Sequence, residues 1–170
     1  MLFSSTVFLL FFLPLLLIIY FAIPQKFRAA RNFVLVVFSF IFYGWGGAKY
    51  LLLMIASIAV NYISGVLIGV SNKKSMKKFW LAAASVLNIG ALGYFKYTGF
   101  FSEIVNKIIP GSPVLSIVLP IGISFFTFQG LSYVIDVYRG DAEVQKNPLY
   151  IALYISLFPQ LVAGPIVRYT

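Results

Sequence analysis

The sequence contains no cysteine and no histidine among its 170 residues, and only four acidic side chains. Without cysteine there can be no disulfide framework, no thiol nucleophile and no thiolate metal site. Without histidine the chain lacks the commonest general base and the commonest metal ligand. The few carboxylates leave the Ser and Thr hydroxyls without an evident activating base. We therefore predict no catalytic dyad, no metal site and no cofactor in these residues.

Charge of either sign is also scarce, because charged residues make up 10% of the chain and hydrophobic residues 61%. The mean hydropathy is +0.97, whereas soluble domains are about 45–50% apolar. This composition predicts an all-α, polytopic membrane protein, with residues 1–170 forming a single transmembrane helical domain. The net charge of +9 comes from basic residues in short connections between apolar runs. They indicate topology signals and contacts with membrane lipid, and we expect no nucleic-acid partner.

Six apolar runs predict about six membrane segments, some of them short, kinked or re-entrant. They are Val7 to Ile23, Phe33 to Tyr43, Leu51 to Val70, Phe79 to Phe95, Val114 to Ile135 and Leu149 to Ile166. The second is short of the ~20 residues that a spanning helix needs. The first is followed, not preceded, by basic residues, which favours a retained span with its N-terminus outside over a signal peptide.

The distribution of basic residues favours six crossings. In that arrangement the cytoplasmic side holds nine of them, namely Lys26, Arg28, Arg31, Lys73, Lys74, Lys77, Lys78, Arg139 and Lys146. The outer side holds four, namely Lys49, Lys96, Lys107 and Arg168. If the second run does not cross, the split becomes about seven to six and the positive-inside bias disappears. The sixth run contains Pro159 and is alternatively re-entrant.

Small and polar residues inside the runs have structural interpretations. Gly65 and Gly69 form a GxxxG pair on the third run, which is typical of a close helix contact. Asn61 and Asn88 are single amides in apolar surroundings, and we interpret them as hydrogen-bond partners between helices.

The stretch LPIGISFFTFQGLSYVIDVYRG, Leu119 to Gly140, combines helix-breaking and polar residues with apolar ones. Pro120 and Gly122 predict a kink or interruption that frees backbone carbonyl groups. Inside a bilayer, only a site enclosed by protein tolerates such groups. This stretch is therefore predicted to line a cavity enclosed by protein.

Past the predicted kink, three polar side chains share one helix face. Gln129, Ser132 and Asp136 are spaced i, i+3 and i+7, and Arg139 follows Asp136 at i+3. One interpretation is an Asp136–Arg139 ion pair that closes the helix, with hydroxyls bonded to neighbours. The other is the polar wall of a substrate path.

The stretch FPQLVAGPIVR, Phe158 to Arg168, carries two prolines six residues apart, which predicts broken or re-entrant structure beside the first stretch. Its Arg168 could hold a carboxylate or phosphate, or serve as an interfacial anchor. The candidate lining residues are Ser124, Gln129, Ser132, Asp136, Arg139, Gln160 and Arg168.

These two stretches, together with GYFKYTGFF at Gly93 to Phe101, resemble the membrane-bound O-acyltransferase superfamily. The nearest branch is similar to the bacterial alginate O-acetyltransferases, with D-alanyl transfer proteins of teichoic acid modification as relatives. The resemblance implies an enzyme of the bacterial inner membrane. It would take an acyl group, by branch acetyl, from a cytoplasmic donor such as acetyl-CoA or an acyl carrier. The acceptor would be a hydroxyl of an extracytoplasmic polysaccharide, with partner acyltransferase proteins also implied.

The sequence also departs from that family. Members are much longer, and their essential histidine lies in the C-terminal half, so no catalytic residue carries over to this chain. We therefore expect the N-terminal part of such an enzyme, as a fragment, split gene or truncated product, that is inactive alone. The alternatives are a transport or channel component, against which the absence of an internal repeat counts, and a scaffold for a separate catalytic chain.

Overall fold

The computed structural model describes residues 5–164 and 169, and of residues 162 and 163 it describes the backbone alone. Within that part of the chain there are helices and no β-strand, which confirms the predicted all-α class. A π-helical segment, Phe8–Phe12, continues into α1 (Leu13–Ala22). It is followed by α2 (Arg28–Gly44), α3 (Ala48–Val70), α4 (Lys74–Ile108), α5 (Ile123–Arg139), α6 (Pro148–Ser156) and α7 (Phe158–Ala163).

Helix lengths only partly follow the apolar runs. Helices α3 and α4, with 23 and 35 residues, are long and apolar enough to cross a membrane. The short second run lies within α2, which has 17 residues because Arg28 to Asn32 join it as an additional N-terminal turn. At 1.5 Å per residue α2 is about 26 Å long, close to the ~30 Å of a hydrocarbon core.

The predicted interruption at Pro120 and Gly122 is confirmed, and it removes the first part of the fifth run from the helix. Residues 109–122 are not helical, and α5 begins only at Ile123. Gly122 has φ of 76°, and a Cβ there would lie 3.1 Å from the carbonyl oxygen of Leu161. Glycine adopts this left-handed conformation at low cost, and it has no Cβ to meet the Leu161 carbonyl.

The sixth run is also broken. Leu157, with φ of −55° and ψ of 110°, separates α6 from α7. Pro159 then sits in the first turn of α7, where its missing N–H group has no helical partner to lose. The break therefore falls two residues before the proline that predicted it.

Helices α3, α4 and α5 form the centre of the fold, and an amide pair joins α3 to α4. Asn61 Nδ2 donates to Asn88 Oδ1 at 3.2 Å, and Asn88 Nδ2 donates to Asn61 Oδ1 at 3.0 Å. This confirms both residues as interhelical partners. Gly65 lies against the Tyr133 ring of α5, since a Cβ there would be 2.6 Å from Tyr133 Cε1. Gly69 instead faces Val144 in the connection after α5, so among the described residues its nearest neighbour is in a connection and not in a helix.

An aromatic cluster joins the N-terminal helix, α2 and α7. Its buried members are Phe8, Phe12, Phe38, Phe42 and Phe158. The Phe158 ring lies 5.3 Å from that of Phe42 and 5.6 Å from that of Phe12, centroid to centroid. Its backbone N–H donates to Ser39 Oγ at 3.3 Å. These contacts hold α7 against α2 although α7 has only six residues.

Three connections meet at one end of the helices, which we call the basic end. Gly69 in the last turn of α3 faces Val144 in the α5–α6 connection, and the Tyr62 hydroxyl, two turns before Gly69, donates to the carbonyl of Lys146 at 2.8 Å. Tyr150 of α6 shares a cavity with Arg28 and Arg31 of α2. The α1–α2, α3–α4 and α5–α6 connections therefore lie together, and the nine basic residues that the sequence grouped are all in or beside them.

Candidate functional site

Gln129 joins the two stretches that carry polar residues in apolar surroundings. It is 3% exposed on α5, and its Nε2 donates to the Tyr154 carbonyl of α6 at 2.7 Å. The same nitrogen donates to Gln160 Oε1 of α7 at 3.0 Å. Because the Tyr154 carbonyl lies near the end of α6, where helical partners run out, this side chain satisfies a backbone group at the break. The structure thus brings Gln129 and Gln160 together.

Ser132 lies one turn further along α5. Its Oγ donates to the Gln129 carbonyl at 2.9 Å and lies 3.3 Å from the Tyr154 hydroxyl. The hydroxyl bonded to a neighbouring backbone group agrees with the structural interpretation of this residue. The contact with Tyr154 continues the hydrogen-bonded chain from α7 toward the basic end.

Asp136 is the next residue on this face and is 8% exposed. Its Oδ2 is buried and has no hydrogen-bond partner in the described part of the chain. Asp136 lies about one turn beyond Ser132 on the same face of α5. We call Gln129, Ser132, Asp136, Tyr154 and Gln160 the polar cluster.

The ion pair between Asp136 and Arg139, one of the two interpretations of their spacing, does not form. Arg139 is exposed in the last turn of α5, while Asp136 faces the neighbouring helices. The helix is closed by Gly140, whose φ is 83°, and by the N–H of Asp141, which donates to the Asp136 carbonyl at 2.9 Å. Closure by a left-handed glycine leaves the Asp136 carboxylate free of any capping role.

Two further tyrosines border the polar cluster. The Tyr169 ring lies 5.0 Å from both the Tyr133 and the Tyr154 rings, edge to face in each case. Gln145 Nε2 donates to the Tyr169 hydroxyl at 2.8 Å, and the Gln145 N–H donates to the Tyr133 hydroxyl at 3.2 Å. Sequence reasoning missed Tyr154, Tyr169 and Gln145. In the sequence these three residues are distinguished only by carrying a polar group in or beside an apolar run. They have no helical spacing relative to Gln129 that would place them on the same face.

The remaining candidates lie apart from the cluster. Ser124 is half-buried in the first turn of α5, and no hydrogen bond connects it to the cluster within the described residues. Arg139 is at the exposed helix end, and Arg168 lies outside the described residues.

The cluster offers amides, hydroxyls and one carboxylate for hydrogen bonding. Ser132 has no base in contact that would make it a nucleophile. Across residues 5–164 and 169, no group of three His, Cys, Asp or Glu side chains could hold a metal ion. The arrangement can bind and orient a polar group.

Comparison with known proteins identifies relatives over the whole chain. It is 40% identical to a protein of Azotobacter vinelandii named "Probable alginate O-acetylase AlgI", over 99% of this chain and 34% of that protein. The protein of the same name from Pseudomonas aeruginosa is 39% identical, over 99% and 33%. The chain is thus similar over nearly its whole length to a part of these O-acetylases. The Peptidoglycan O-acetyltransferase of Helicobacter pylori is 33% identical over 100% of this chain and 37% of its own length.

The chain spans about a third of the length of the curated relatives it matches. The predicted resemblance to the alginate O-acetyltransferase branch is confirmed by them. No family model matches the chain, and no solved structure matches it.

Proposed function

We propose that this chain forms part of an O-acetyltransferase that modifies an extracytoplasmic polysaccharide. Its relatives, similar over nearly the whole chain, are named for O-acetylation of alginate and of peptidoglycan. The observation in the structure that carries the proposal is Asp136, a buried carboxylate with an unpartnered oxygen, in a row of polar groups across three apolar helices.

The polar cluster supports the proposal through the energetics of burial. A buried charge in apolar surroundings is unfavourable unless it is paired, and such residues generally mark a functional path. The Gln129 amide and the Ser132 hydroxyl are already bonded, so Asp136 Oδ2 is the group left to accept a hydrogen bond. We infer that it receives a hydroxyl or a cationic group, and that the cluster forms one wall of the acetyl-transfer path.

The orientation of that path follows from the distribution of charge. We propose a multi-pass protein of the bacterial inner membrane, with its N-terminus outside and its basic end in the cytoplasm. Nine of the thirteen basic residues support this orientation. Asp136 lies in the last turn of α5, near the basic end, so the acetyl donor would reach the cluster from the cytoplasm. The transferring groups themselves would come from outside this chain.

The experiment that tests this function is removal of the gene. In its host bacterium, deletion should abolish ester-linked acetyl groups on one extracytoplasmic polysaccharide, and reintroduction of the intact gene should restore them. The measurement is acetate released by mild alkali per sugar residue. Unchanged acetyl content in every envelope and extracellular polysaccharide of the deletion strain would overturn the proposal.

A further inference from the structure

A second polar site lies at the basic end, away from the polar cluster. It is a cavity of about 490 Å³ between α1, α2 and α6. Cavities that hold small molecules are typically ~300–1,000 Å³. The lining residues are Tyr20, Gln25, Arg28, Arg31, Asn32 and Tyr150. The lining thus has two guanidinium groups, two amides and two phenols, and no carboxylate.

Arg31 is held rigidly in this cavity. Its Nε and Nη2 donate to the Ile23 carbonyl at 2.9 and 2.7 Å, and its guanidinium carbon lies 4.9 Å from the centroid of the Tyr20 ring. A guanidinium has five N–H donors, so three of them remain after these bonds. Because the side chain is already ordered, ligand binding would not incur the entropic cost of ordering it.

The other donors of the cavity are not used by the protein. The side chains of Arg28, Asn32 and Tyr150 make no hydrogen bond within the described part of the chain. Arg28 precedes Arg31 by three residues on α2, so the two guanidinium groups lie on the same helix face. No acidic side chain of this sequence belongs to the cavity, and its positive charge is left for an anion.

We propose that this cavity binds a phosphate ester and that its source is the headgroup of an anionic phospholipid. Arginine forks match phosphate oxygens in geometry, and basic pockets between membrane helices at the cytoplasmic side suit such headgroups. Phe21 and Phe27 beside the cavity are 69% and 52% exposed, which places apolar surface where acyl chains would run. The lipid as source rests on the proposed cytoplasmic position of the basic end, whereas phosphate binding itself is independent of the acetyl-transfer proposal.

The test compares two phosphate esters on the purified full chain in detergent. Dissociation constants are measured by native mass spectrometry for phosphatidylglycerol, for diacylglycerol, which has no phosphate, and for coenzyme A, a soluble phosphate ester. Arg28→Lys keeps the charge but removes the fork, and should weaken phosphatidylglycerol binding about tenfold. Tyr150→Phe removes one neutral donor and should weaken it about threefold. Diacylglycerol should bind no tighter to the wild type than to either variant.

Lys77→Gln is the matched control, because it removes a whole charge from the same end but outside the cavity. If attraction were diffuse, Lys77→Gln would weaken phosphatidylglycerol binding more than Arg28→Lys does, and that order would overturn the proposal. Weakening of coenzyme A binding alone would keep the cavity as a phosphate site and overturn the lipid as its source. Equal elution profiles and melting temperatures confirm that every variant is folded.

Discussion

Gly130→Ala should destabilise the centre of the fold because it places a methyl group against the amide pair. A Cβ at Gly130 would lie 2.7 Å from Asn61 Cγ and 3.2 Å from Asn61 Oδ1. The Asn61 side chain cannot easily retreat, since its Nδ2 donates to the Ser57 carbonyl at 2.8 Å and to Asn88 at 3.2 Å. Overpacking of this kind costs about 1–3 kcal/mol, and each amide bond lost between membrane helices about 0.6 kcal/mol.

Replacing a helical glycine by alanine also stabilises by about 0.8–1 kcal/mol through helix propensity. The net expectation for Gly130→Ala is therefore a loss of about 1–3 kcal/mol, or several degrees in melting temperature at ~2–4 °C per kcal/mol. The assay is the melting temperature of the purified chain in detergent, measured as the folded fraction that remains on size-exclusion chromatography after heating.

Gly93→Ala is the matched control, because no atom lies within 4 Å of a Cβ placed at that glycine of α4. It should leave the melting temperature unchanged or raise it. Asn61→Ala in the Gly130→Ala background should recover part of the loss by removing the clash. Equal melting temperatures for Gly130→Ala and Gly93→Ala would refute the close packing of α5 on α3.

Three further predictions concern the helices and their orientation. Asn61→Ala and Asn88→Ala should each lower stability by about 0.6–1.7 kcal/mol, and a double-mutant cycle should show that the second substitution adds little, whereas additive losses would contradict the pair. Arg31→Gln should loosen the α1–α2 connection, measured as faster protease cleavage there, and cleavage at the wild-type rate would contradict its bonds to that connection. Because the chain has no cysteine, a single cysteine at Trp45 should react with impermeant maleimide added outside, and one at Lys73 should react only after the membrane is permeabilised. The reverse pattern would contradict the proposed orientation.

The breaks in the helices could be predicted from sequence, but their consequences could not. Pro120 and Gly122 indicated the interruption, because one lacks a donor and the other accepts a left-handed conformation. The start of α5 at Ile123 did not follow, since apolar residues 114–119 have the same hydropathy whether helical or extended. The length of the helix around the short second run was underestimated. Its first turn contains Arg28, Arg31 and Asn32, and these charged and polar residues do not count toward an apolar run.

The polar face of α5 was predicted by its spacing, and its partners were not. Helical periodicity places Gln129, Ser132 and Asp136 together, but it does not say which helix they meet. The bond from Gln129 to Gln160 depends on the angle between α6 and α7, which Leu157 sets. The spacing also predicted an Asp136–Arg139 ion pair, which does not form because Asp136 is buried while Arg139 is exposed at the end of α5.

The most direct measurement of the central claim is polysaccharide O-acetylation in cells that carry Asp136→Asn. Asn is nearly the same size as Asp, and removing an unpaired buried charge should not lower the stability of the protein. If Asp136 had only a structural role, acetyl content would therefore be unchanged. Asp141→Asn is the matched control, because Asp141 is exposed at the same end. At equal protein levels in the membrane, Asp136→Asn should lower acetyl content about tenfold, the equivalent of one hydrogen bond to a charged group. Acetyl content as high as that of Asp141→Asn would contradict the role of the polar cluster in acetyl transfer.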